Sequence, residues 1–197
     1  MSQSSAPCRR YEFLRLTVIA AAALLAAADS VLAAGECGSA TPDYAARRSV
    51  SVAGGSFTSK VYVSGDNIRE ESSPGGRRIV TIRQLAAGRT VTWDETAKTG
   101  SELTLPAKPG SGLGQTKIVE EPAAGGGKVR RAQVLQDGKW LDLSVTRCGA
   151  DNVMTSQTFI SVSPSGAQVK GTVTQTGIKV GPVDPSLFKV PADVTIK

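Results

Sequence analysis

Apolar residues recur at every second position along this 197-residue chain, in short runs separated by turn residues, and that spacing commits the chain to β-structure. The pattern is clearest from Ser56 to Leu105. It predicts strands over 56–63, 68–71, 77–83 and 89–93, with 103–105 beginning a fifth. Phe57, Ser59, Val61 and Val63 share one side of the first strand, while Thr58, Lys60 and Tyr62 share the other. Val80 and Ile82 oppose Ile79, Thr81 and Arg83; Val91 and Trp93 oppose Thr90 and Thr92. A period of two suits an antiparallel sheet with one packed and one wetter face. Ser64-Gly65-Asp66-Asn67 and Ser73-Pro74-Gly75-Gly76 supply turns, since Gly and Asn reach positive φ cheaply and Pro fixes φ. No segment carries a long 3.6-residue period, and 21 glycines with only 5% aromatic residues fit a thin sheet-based core.

The rest of the chain extends the same pattern. Residues 34–42 are small and polar, 43–48 fit one helical turn, and 49–53 alternate as a short strand before Gly54-Gly55. Residues 106–127, rich in Pro, Gly and Ser, read as a flexible insertion, with 116–120 a short strand or part of that insertion. Alternation returns over 129–135, and Asp137-Gly138 turns the chain into 140–147, where Leu141, Leu143 and Val145 share a face. Over 153–162, Met154, Ile160 and Val162 fall on one side, Val153 and Phe159 on the other. Residues 167–175 form a further strand, and Ile178 and Val180 begin the last extended piece.

The N-terminus has its own chemistry. Arg9, Arg10 and Arg15 precede the apolar run 16–28, and Val31-Leu32-Ala33 offers the short residues that a signal peptidase accepts. Residues 1–33 read as a secretory signal peptide cleaved after Ala33, with Ala34 the alternative, so the chain is expected in the periplasm or outside the cell. Thirteen Ala-rich residues fall short of the roughly 20 that span a bilayer, and no stable membrane span is expected after cleavage. Cys8 leaves with the signal. Cys37 and Cys148 remain, and in an oxidising compartment they are expected to form one disulfide, tethering the tail 34–48 to a distant strand. The rest of the chain carries +5, because residues 1–33 hold three Arg against Glu12 and Asp29 in a total of +6. Its basic and acidic residues are interleaved, which argues against a nucleic-acid partner.

Catalytic signatures are absent or broken. The chain has no histidine, the usual general base and commonest metal ligand, so no metal and no cofactor are expected. Lys98-Thr99-Gly100 and Ser186-Leu187-Phe188-Lys189 imitate penicillin-recognising serine enzymes, but in reversed order and without the third signature. Glu70-Glu71, Asp94-Glu95 and Glu120-Glu121 are adjacent acids, whose side chains point to opposite faces of a strand and read as solvated. No catalytic residue is assigned, and a histidine-free hydrolase ranks last.

Two segments carry a resemblance. Val61-Tyr62-Val63-Ser64-Gly65-Asp66-Asn67-Ile68-Arg69-Glu70-Glu71 resembles an early strand pair of the LolA-like lipoprotein-localisation superfamily. Gly177 to Ala192, containing Val183-Asp184-Pro185-Ser186-Leu187-Phe188-Lys189-Val190-Pro191, is similar to the closing stretch of that group. The resemblance spans about residues 49–193. It implies a strongly curved antiparallel sheet, an incomplete barrel with little helix, forming a single domain over 49–197. Its concave side would hold an acyl chain of a lipid or lipoprotein, with Val61, Val63, Val80, Ile82, Val91, Trp93, Leu141, Leu143 and Phe159 as cavity wall. The 184–188 stretch would be a turn anchoring the C-terminus. Where the family has lid helices, residues 106–127 carry no amphipathic run. The alternative is an envelope interaction protein with a filled interior that recruits a protein partner.

Overall fold

A computed structural model describes residues 37–38, 41–53, 55–104, 115–162 and 168–197. The expected signal peptide, and residues 106–114 of the expected insertion, lie outside them. The described strands are β1 Tyr44–Val52, β2 Gly55–Ser64, β3 Asn67–Ser72, β4 Ile79–Gln84, β5 Arg89–Asp94 and β6 Thr99–Thr104. After them come β7 Thr116–Pro122, β8 Lys128–Gln136, β9 Lys139–Cys148, β10 Met154–Val162, β11 Gln168–Val180 and the two-residue β12 Thr195–Ile196. All twelve join one sheet in the order β12-β6-β5-β4-β3-β2-β1-β11-β10-β9-β8-β7. Every pairing is antiparallel except the short parallel match of β12 with β6.

Two meanders therefore start side by side. β1 to β6 runs one way, β11 back to β7 runs the other, and β1 against β11 is the seam. β6 and β7 follow each other in sequence yet stand ten strand spacings apart, and they point in the same direction. In a flat sheet that separation is about 48 Å, plus a strand length to be retraced. The chain between Thr104 and Thr116 reaches at most about 43 Å. Covalent connectivity forces the sheet to bend, and it is one strongly curved sheet that does not close into a barrel.

Paired residues of an antiparallel ladder share a face, so the register sorts side chains into two sets. On the first face one row runs Val180, Tyr44, Val63, Ile68, Arg83, Thr90, Leu103 across seven strands. Tyr44, Ala46, Val61, Val63 and Ile68 are buried there, in one cluster with Val153 from the turn before β10. A second cluster on the same face holds Cys37, Cys148, Met154, Phe159 and Val173. The opposite face of these central strands carries exposed Arg47, Thr58, Lys60, Thr158, Lys170, Thr172 and Thr174. The buried face is the inside of the bend and the polar face its outside.

Three bulges adjust which side chains face inward. Gly177, at φ +60°, lies where β11 gains one residue against β1, and this returns Ile178 to the inner cluster. β10 gains one residue between Met154 and Ser156, so that Met154 and Phe159 both point inward. Sequence alternation placed them on opposite sides, because a bulge is one uncounted residue in a period of two. β9 gains one residue at Leu143, which puts Leu141 inward and Val145 outward. The tip of the Phe159 ring reaches over Gly171 on β11, and any β-carbon there would overlap the ring.

One expectation is corrected, and one alternative is decided. Residues 44–48, expected as a helical turn in a tail, are the first half of β1, because both β2 and β11 pair with them. Residues 116–122, inside the expected insertion, are β7, held by seven pairings with β8 and by Glu120 on Arg130 at 2.7 Å. The Cys37–Cys148 disulfide is present, closing a separation of 111 residues.

Candidate functional site

The nine residues expected to line one cavity are divided by the register. Val61, Val63, Phe159 and Leu141 face inward. Val80, Ile82, Val91 and Trp93 pair with Glu71, Arg69, Glu102 and Gly100 and face outward. Leu143 is the extra residue of the β9 bulge and has no partner across the ladder. The alternation within each strand is as the sequence implies; the relation between strands is not, because one residue of offset in a turn exchanges the faces.

The outward four form a core of their own, covered by the C-terminal segment. Val190, Val194 and Ile196 pack on Val80, Ile82, Val91 and Trp93. This segment starts with a 3₁₀ turn, Pro185–Phe188, capped by Asp184 Oδ1 accepting from the Ser186 amide at 2.8 Å. Arg69 Nη1 donates to the Leu187 carbonyl at 2.8 Å, Lys98 meets Asp193 at 3.1 Å, and β12 completes the strap along β6. The turn at 184–188 thus anchors the C-terminus, with Leu187 and Phe188 half-buried and the apolar packing made further along. The Arg69 guanidinium also sits 5.6 Å from the centre of the Trp93 ring.

The inner face has a polar centre that sequence reasoning missed. Glu70 is buried, with Arg48 at 3.7 Å, Arg83 at 3.5 Å, and the Ser59 hydroxyl donating to it at 2.6 Å. Burial pushes the Glu70 carboxyl up, but Arg48, Arg83 and Ser59 together outweigh it and hold it below the usual range. An ionised carboxylate clamped in this way is not poised to donate a proton near neutral pH. Glu71 points to the other face, as adjacency requires, and binds Arg69 at 2.8 Å and Arg78 at 3.3 Å. Neither acid is freely solvated. Arg48, in phase with Tyr44, Ala46 and Val50 along β1, was the available signal. Beside this centre, Gln157 donates to Thr146 at 2.9 Å and Gln175 to the Tyr44 hydroxyl at 3.4 Å.

Away from the centre the inner face opens. Five large apolar side chains are exposed among the described residues: Leu103, Ile118, Trp140, Leu141 and Val180. Leu103 pairs with Thr90, Val180 with Tyr44, and Leu141 with Val134; Ile118 continues the row Ala132, Ser144, Phe159. These four face inward, at the two rims and beside the seam. Only Trp140, paired with Leu135, faces outward. A shallow open depression of ≈ 400 Å³ near Arg77, Asp94, Ser101 and Lys197 also takes in Ile79 and Trp93, so its lining mixes polar and apolar groups. No described helix is long and apolar enough to cross a membrane, and the described residues hold no group of three or more potential metal ligands among His, Cys, Asp and Glu.

Fold and site together define a bent, open, single-sheet protein with a packed inner floor and apolar inner rims. No family model and no curated protein sequence matches the chain. Solved structures do. An uncharacterized conserved protein from Thermus thermophilus is similar with a TM-score of 0.48 at 11% identity, over 87% of this chain and 98% of that one. A LolA superfamily protein from Nitrosomonas europaea is similar with a TM-score of 0.43 at 8% identity, over 83% and 97%. The MucA/MucB complex structure from Pseudomonas aeruginosa is similar with a TM-score of 0.42 at 15% identity, over 85% of this chain and 62% of that one. The LolA-like proteins to which the two sequence segments pointed are thus among the similar structures.

Proposed function

We propose that this chain is an exported, non-enzymatic binding protein that holds the acyl chain of a lipid or lipoprotein against the inner face of its sheet. The observation that carries the reading is the placement of exposed apolar side chains. Four of the five large ones lie on the concave face, outside its packed centre. Random scatter over a soluble surface has no reason to favour one side of a sheet, whereas a site for an apolar chain requires it. Ile118 and Leu141, with half-buried Val134, form the widest such stretch, and inward-facing Phe159 lies next to it. Export is supported independently by the Cys37–Cys148 bond, which persists in oxidising compartments.

Displacement of a fluorescent fatty acid tests the reading directly. Ile118→Asp should weaken binding about tenfold or more, the equivalent of withdrawing one large apolar contact. Protein recovered from its own envelope should carry a lipid in native mass spectrometry. Lipid-free protein that also ignores the probe would overturn the reading.

A protein partner is the second reading, favoured by β7 standing at the edge of the sheet among the described strands. A stoichiometric crosslinked partner without lipid would select it.

A further inference from the structure

We propose that the tip of the β8–β9 hairpin, with the start of β7 beside it, docks on an anionic lipid surface and seats Trp140 at the level of the headgroups. The tip gathers three of the five exposed large apolar residues: Ile118 at 51% exposure, Leu141 at 45% and Trp140 at 38%. They do not share a face. Ile118 and Leu141 point inward, and Trp140 points outward beside half-buried Leu135. A protein partner laid on the sheet would cover one face and leave the other wet. A lipid interface can cover both faces of a hairpin end at once, so the two-sided exposure selects it.

The polar groups at the tip match that medium. Lys117 Nζ stands 4.2 Å from the centre of the Trp140 ring, and exposed Lys139 begins β9 next to it. An indole flanked by lysines combines an apolar body with cations able to meet anionic headgroups. The acids nearby are mostly engaged: Asp142 accepts from Arg131 at 2.8 Å and Gln133 at 2.7 Å, and Glu120 and Glu121 pair with Arg130 and Arg131. Asp137, in the turn itself, remains exposed. The turn Asp137-Gly138, with both residues at positive φ, is tight enough to present the tip without a bulky loop. The inference rests on the acyl-binding reading in one respect. A tip seated in lipid would bring the open end of the inner face, Ile118 and Leu141, to the membrane edge, so that an acyl chain could enter without crossing water.

Vesicles of phosphatidylcholine with 30% phosphatidylglycerol, mixed with protein recovered from the periplasm of an expressing cell, supply the test. Trp93 is buried, so a blue shift of tryptophan emission on mixing reports Trp140. The shift and co-sedimentation should appear with these vesicles and weaken severalfold with pure phosphatidylcholine. Trp140→Ser should cut co-sedimentation about tenfold, and Lys117→Glu with Lys139→Glu should remove the preference for anionic lipid. Both variants should bind the fluorescent fatty acid in solution as the unaltered protein does. Unchanged co-sedimentation of Trp140→Ser, or no binding to anionic vesicles at low salt, would overturn the proposal even if fatty-acid binding persists. Vesicle binding lost only in Trp140→Ser, with no fatty-acid binding in any form, would sustain the docking tip and sink the acyl-binding reading instead. Capture of a protein by the tip in place of vesicle binding also counts against it.

Discussion

Trp93 and Trp140 occupy comparable places in the two halves of the sheet and have different fates. Each is on the outer face of a meander, and each has a cation over its ring, Arg69 for Trp93 and Lys117 for Trp140. Trp93 is 1% exposed and Trp140 38% exposed. The difference comes from the C-terminal strap, which lays Val190, Val194 and Ile196 over the β4–β5 strands; among the described residues no such layer packs on the β7–β9 wing. A third layer, rather than any local pattern, separates a core from a surface in this fold. The same asymmetry holds inside the bend, where β1 to β3 pack against Val153 while the wing exposes Ile118 and Leu141.

The largest test of this contrast removes the covered tryptophan. Trp93→Ala should cost about 3–5 kcal/mol in chemical denaturation, since it empties a fully enclosed site. A cost below about 1 kcal/mol would mean that the strap does not enclose a core.

Glu70→Gln comes next and sharpens the comparison inside the bend. Removing the charge leaves two buried guanidinium groups beside a neutral amide, at roughly 3 kcal/mol. The sign of the pH dependence follows from the depressed Glu70 carboxyl. Its contribution is present above the ordinary carboxylate range and is lost as pH falls through the folded-state value. The melting temperature of the unaltered protein should therefore fall on acidification more steeply than that of Glu70→Gln. Parallel curves would remove Glu70 from the account of acid stability.

The smallest effect belongs to the open wing. Trp140→Ala should cost less than about 1 kcal/mol, well below Trp93→Ala, because more than a third of the residue already meets water. A larger loss would mean that the wing is packed after all, and the contrast between the two halves would fail.

Much of this architecture was legible in the residues. The alternation from Phe57 to Trp93, and the turns at Gly65-Asp66 and Pro74-Gly75, locate β2 to β5 to within a few residues of the strands formed. The cysteine count named the one pair that bonds. Adjacency placed Glu70 and Glu71 on opposite faces, which the register bears out.

Other features were not legible, each for a physical reason. Residues 44–48 and 116–122 have weak patterns of their own and become strands because neighbours far along the chain pair with them. Val61 and Val80 alternate alike, yet one faces in and the other out. The turn at 73–78 sets their relative offset, and a period of two says nothing about phase across a turn. The bulges near Thr155 and Leu143 each shift that phase again within a strand. The sequence by itself determined that this chain makes bonded strands, with apolar side chains on one side of each and a single sulfur clamp. Only the tertiary structure decided which sides meet. That choice depends on long-range register, on the bend imposed by the short link between β6 and β7, and on where the C-terminal strap comes to rest.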